Sequence, residues 1–228
     1  MIQLDFTEKE IREIIEKSHW YSCVYYEFSG ILLPEEDAVK TLVRSFMRTV
    51  INTFFHSKDS EEALGGDMLE DFALAFSRRG FLTEKKSFVS GWPAYKIGNR
   101  YTIMKREGNI EMCPAGQYPG DIVKGSMEEA VDLVEALDAI YDRVTAVVRV
   151  KYMEEQKRRK LSDIAQITAM QYLPEGVYLR VAPVSTGEYS VTLFRKKSYV
   201  GEIIVDEDGI NDMHSVAMKL LNGVKIKK

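Results

Sequence analysis

The sequence predicts an α+β protein: a helical N-terminal third, then two small antiparallel β-sheet units connected by a long central helix. Three observations predict it. In the first eighty residues, apolar side chains recur at helical spacing. Between Phe81 and Gly125 that period gives way to short pieces punctuated by glycine and proline. From Ser126 an unbroken run begins whose apolar residues step by four, three, four and three.

The first helix opens at Thr7. Thr7 and Glu10 have the spacing of a capping box, and Phe6 and Ile11 that of the hydrophobic staple around it. Ile11, Ile14 and Ile15 follow, and Tyr21, Tyr25 and Phe28 carry the stripe to a stop at Ser29-Gly30. By propensity alone Trp20 to Phe28 suits a strand equally; the unbroken spacing favours helix. The second helix starts at Pro34, with Glu35, Glu36 and Asp37 at the positive end of its dipole. Val39, Leu42, Val43, Phe46, Met47, Val50 and Phe54 form its apolar face, and Lys40, Arg44, Arg48 and Asn52 its polar one. Asp67 with Glu70 is placed to cap a third helix, whose stripe is Leu69, Phe72, Ala73 and Phe76 and whose stop is Arg78-Arg79-Gly80.

Tyr101–Met104 and Asn109–Met112 read as two strands joined by a turn at Arg106-Glu107-Gly108. Ser126 with Glu129 is a second capping box, opening the long helix. Its seam is Leu133, Leu137, Ile140, Val144 and Val147. The same stepping then lands on Lys151, Glu154 and Arg158. Either the helix runs on exposed, or it breaks and 161–170 form a separate helix. A continuous helix over 126–170 spans about 65 Å, more than a compact domain, so it joins two lobes or bends. Val177–Val181, Tyr189–Leu193 and Val200–Val205 are rich in β-branched and aromatic types and predict three strands. Their turns are Ser185-Thr186-Gly187 and Lys196-Lys197-Ser198. A short helix with Met213, Val216, Ala217 and Leu220 on one face closes at Asn222-Gly223. Residues 88–137 and 176–221 share an order, strands then a capped helix, which fits either a duplication or two ordinary α+β pieces. The chain therefore divides into 1–80, 81–160 and 161–228, folded as one or two compact domains.

Apolar types make up 45% and charged types 29%, with a formal net charge of −4. That balance excludes a polycation and an acidic disordered tail. Cys23 and Cys113 are too few for a disulfide scaffold and form no CxxC pair, so they read as reduced thiols. The first eight residues are acidic, unlike a signal peptide, and no apolar run approaches the about 18 residues of a membrane span. Both features predict a cytoplasmic protein without a membrane partner. There is no P-loop, no GxGxxG and no GxSxG. His19, His56 and His214 stand apart from other metal-ligand types. In Asp206–Asp212 the glycine falls at the fourth place and the distal glutamate is missing, so the run reads as a capping turn, not a calcium loop. Cys113-Pro114 is the one position resembling an exposed nucleophile, and an inert loop cysteine is the better reading. No catalytic, cofactor or metal residue is assigned.

The suggestive pattern is basic and aromatic. Lys96, Arg100, Lys105 and Arg106 share one region with Trp92, Tyr95 and Tyr101; Arg195, Lys196 and Lys197 share another with Tyr178, Arg180, Tyr189 and Tyr199. Residues 75–110 hold eight bases against two acids, while 1–37 hold nine acids against three bases. The seam from Leu133 to Val147 and the wide apolar face of the second helix call for apolar cover, supplied by a second chain or by each other within one monomer. The expected function is accordingly a non-enzymatic interaction or regulatory protein that self-associates along that seam. The alternatives are a nucleic-acid-binding protein using the basic hairpins, and an enzyme with an unfamiliar site, which requires a deep pocket of ionisable groups.

Overall fold

The computed structural model describes residues 2–18, 34–87, 91–185 and 187–223. The chain is α+β, with N-terminal helices, a five-stranded and a three-stranded antiparallel sheet, and a long central helix, as the sequence predicts. It forms two compact units, Met1–Lys151 and Tyr152–Lys228, so the helical region and the first sheet belong to one unit.

In the first unit, α1 (Glu8–Glu16) opens on the expected box: the Glu10 amide donates to Thr7 Oγ1 at 3.2 Å and the Thr7 amide to Glu10 Oε2 at 2.7 Å. The stripe expected to continue to Gly30, with His19 and Cys23, lies outside the described residues from 19 onward. Helix α2 (Glu35–His56) follows Pro34 and buries Val39, Leu42, Val43, Phe46, Met47 and Val50. Ile51 and Phe55 complete that face; Phe54 is only half-buried. Its polar side has a structural task. Arg48 donates to the Pro119 carbonyl at 2.8 Å, and Asn52 to Asp121 at 2.7 Å, fixing the loop after the fourth strand. Helix α3 (Leu69–Arg78) buries Leu69, Phe72, Ala73 and Phe76. Asp67 does not cap it: a 3-10 turn over Gly66–Met68 leads into the helix, which begins without a side-chain cap.

The strands β1 (Thr83–Ser87), β2 (Pro93–Ile97), β3 (Tyr101–Arg106), β4 (Asn109–Pro114) and β5 (Asp121–Ile122) form a meander in chain order. β3 and β4 join through Glu107 and Gly108, both at positive φ (51° and 87°), the pair that matches the twist of a two-residue hairpin.

Helix α4 (Met127–Met170) is continuous and starts at the predicted box, the Glu129 amide donating to Ser126 Oγ at 3.2 Å. Its first half is tied into the first unit by Arg79 to Asp132 and Glu135, Arg100 to Asp138, and Arg149 to Glu36. Within the second unit the same helix packs on β6 (Val177–Ser185), β7 (Glu188–Arg195) and β8 (Ser198–Asp206), paired in that order. Helices α5 (Glu207–Asn211) and α6 (Met213–Gly223) complete it, Asp206 capping α5 through the Gly209 amide. Ala165 and Ala169 meet Leu179, Val181, Val191, Leu193, Val216 and Leu220 in one core. The two meanders share the order strands then helix but differ in strand number, five against three.

Candidate functional site

The first basic set is used inside its own unit. Arg100 donates to Asp138 at 2.5 Å and lies over the Tyr141 ring, 3.6 Å from its centroid. Arg106 lies 4.9 Å over the Trp92 ring and faces Glu111 at 3.3 Å and Glu107 at 3.4 Å. Lys96 donates to Asn99 at 2.9 Å. The carbons of the Lys105 side chain lie against Gly66, where an added Cβ would meet them at 2.6 Å. A half-open cavity of about 200 Å³ is lined by Phe81, Ile97, Asn99, Arg100 and Asp138, but its two charges are paired with each other. Tyr101 is buried in the core rather than displayed.

The seam residues are also placed by the structure. Leu133, Leu137 and Val144 are fully buried within the chain, and Ile140 and Val147 half-buried. The first unit covers its own seam, so this stripe does not itself call for a second chain. That removes the motive drawn from it, because an apolar face already out of water gains nothing further by association.

The second basic set sits differently. Lys196 and Lys197 form the two-residue turn between β7 and β8, both at positive φ (47° and 68°). Neither they nor Arg195 and Arg180 make an ion pair among the described residues, and all four are exposed. The strand alternation then sorts the sheet. Leu179, Val181, Tyr189, Val191 and Leu193 face the core. Tyr178, Arg180, Thr192, Phe194, Tyr199, Glu202 and Ile204 take the opposite face. Across it, Tyr178 pairs with Phe194 and Phe194 with Tyr199, a row of three rings. Tyr178 and Phe194 are stacked at 5.0 Å with planes 8° apart; Tyr199 stands edge-on to Phe194 at 6.4 Å. The row borders the basic turn, whereas Glu188 and Asp206 lie at the other end of the sheet. Tyr189, grouped with these residues in the sequence, is buried on the core face; Phe194, which the sequence reading passed over, belongs to the row. Period-two alternation from Tyr178 and Thr192 is the signal that separates them.

The second unit displays a further surface. On α4, Met153, Ile164, Ile167 and Met170 are 53%, 61%, 65% and 53% exposed. With Lys157 and Lys160, Met153, Ile164 and Ile167 follow the alternating four and three steps of a helix seam, and Met170 flanks it one turn beyond Ile167.

Reactive groups are placed as follows. Cys113 is buried, and desolvation pushes its thiol up to about 12, so it stays protonated and unreactive at neutral pH. Among the described residues no three His, Cys, Asp or Glu side chains converge to hold a metal ion, and no helix is long and apolar enough to cross a membrane. Compared with models of protein families, with curated proteins and with solved structures, the chain has no significant match.

Proposed function

We propose that the protein is a non-enzymatic interaction or regulatory protein of the cytoplasm that acts through its C-terminal unit and pairs with a second copy of itself. One observation carries the reading: the solvent-facing stripe of Met153, Ile164, Ile167 and Met170 on α4. A helix inside a stable unit normally turns its large apolar side chains inward. Ile164, Ile167 and Met170, exposed within two turns of one another, mark a surface that gains free energy when covered, and Met153 adds a second apolar point three turns away. The alternating spacing suits a helical partner, and a second copy brings the same stripe in the two-fold arrangement commonest among homo-oligomers. Lys157 and Lys160 interrupt the stripe and weaken the pairing, which suits a reversible contact.

Sedimentation velocity across a wide concentration range tests the reading. The wild-type chain is expected to move from monomer towards dimer as concentration rises. Ile164→Glu with Ile167→Glu is expected to stay monomeric with an unchanged circular dichroism spectrum, since both side chains point to water in the monomer. A wild-type chain that remains a monomer throughout, or a double variant that associates equally well, overturns it.

A further inference from the structure

We infer that the open face of the C-terminal sheet is a binding site for single-stranded nucleic acid, with bases on Tyr178 and Tyr199 and phosphates on the Arg195-Lys196-Lys197 turn. This surface is separate from the α4 stripe, and its test stands or falls independently of self-association.

The charge distribution supports an anionic ligand. Residues 152–223 carry nine Lys and Arg against ten Asp and Glu, so the positive charge is local to the turn and not spread over the unit. Arg195, Lys196 and Lys197 stand at the end of the sheet that holds the ring row, where Glu175 is the one acid beside them among the described residues, whereas Glu188, Asp206, Glu207 and Asp208 stand at the other and Glu202 lies between. Uncompensated cations on a tight turn attract phosphate, and their field is not cancelled by internal partners as it is around Arg100 and Arg106.

The rings supply what a simple cationic patch lacks. Tyr199 is 63% exposed and Tyr178 36%, with Phe194 between them as a spacer stacked on Tyr178. Exposed aromatic faces stack on any base, so they hold single strands, whose bases are free, in preference to a duplex, whose bases are already stacked. Two available rings beside one turn set a footprint of about two to three nucleotides. The hairpin geometry makes the arrangement compact. Phe194 and Tyr199 are directly paired across β7 and β8, and the chain between them is Arg195, Lys196, Lys197 and Ser198.

Fluorescence anisotropy of the full chain with a labelled short oligothymidylate, and with a duplex of the same length, tests the site. The expected result is binding of the single strand at low salt, weaker binding of the duplex, and a steep loss as salt rises. Tyr199→Ala is expected to lose about tenfold in affinity, with Tyr199→Phe close to wild type, because stacking needs the ring and not the hydroxyl. Lys196→Glu with Lys197→Glu is expected to abolish binding while leaving thermal unfolding intact. No binding of either oligonucleotide at low salt overturns the inference and leaves the face to a protein partner. Binding unaffected by Tyr199→Ala, or equal for single strand and duplex, also overturns it, since charge alone then accounts for retention.

Discussion

Glu129 joins three pieces of the N-terminal unit. Its carboxylate accepts from Lys58, just past the end of α2, at 2.8 Å, and from the Ser126 amide at 3.1 Å, closing the cap of α4. The Lys58 ammonium first, and the Ser126 amide after it, hold the Glu129 carboxyl down at about 2. A carboxylate depressed in the folded state contributes stability that is fully present above its unfolded value of 4.5 and is lost as pH falls towards about 2. Glu129→Gln is therefore expected to cost about 1 kcal/mol at pH 7, the usual worth of a cap, with solvent screening limiting the exposed ion pair. The gap to wild type should close as the pH falls through that window. Urea unfolding at pH 7 and at pH 2 measures it, and a gap of equal size at both values contradicts the assignment. The two capping boxes, at Thr7 and Ser126, were legible because each is a local bond between residues three apart. Asp67 has the same spacing to Glu70, yet the 3-10 turn before α3 leaves it no cap to make. Cys113 shows the converse: its proline neighbour and glycine-rich loop suggested exposure, and the β3–β4 pairing buries it.

At the scale of elements, legibility followed the size of the side chains that pack. Helix α2 and the three C-terminal strands were readable from large apolar residues at the right period. β1 was not, because Thr83-Glu84-Lys85-Lys86-Ser87 is a charged edge strand whose chemistry blocks further pairing rather than filling a core. The continuity of α4 was equally hidden. Past Val148 its inward positions in the second unit include Ser162, Ala165 and Ala169, 3%, 3% and 0% exposed. Small residues leave no apolar stripe in the sequence, but they let the sheet approach closely. Ala169→Leu forces added methylenes into that contact and is expected to destabilise the protein by about 1–3 kcal/mol in urea unfolding. Ile167→Ala, a loss from the exposed side two residues away, is expected to change stability by under about 0.5 kcal/mol in the monomer. Equal costs at both positions would mean that the sides of α4 are assigned the wrong way round.

For the whole molecule, the sequence carried the order of elements and the two basic clusters, but not which surfaces remain open. That choice depends on long-range pairing. Asp138 neutralises Arg100 from 38 residues away, and the first unit buries Leu133, Leu137 and Val144. Both units keep large apolar side chains in water, Leu82 at 76% in the first and Ile164 and Ile167 at 61% and 65% in the second, and association through the exposed side of α4 is the claim on which the proposed function rests. Methionine oxidation by dilute peroxide reads that surface directly, since oxidation follows solvent access to the thioether. Met153 and Met170 lie on the stripe at 53% exposed, and Met218 on α6, at 39%, serves as an internal reference. Peptide mass spectrometry at rising protein concentration is expected to show Met153 and Met170 slowing relative to Met218. If all three oxidise at rates that do not change with concentration, the stripe is not an interface between copies.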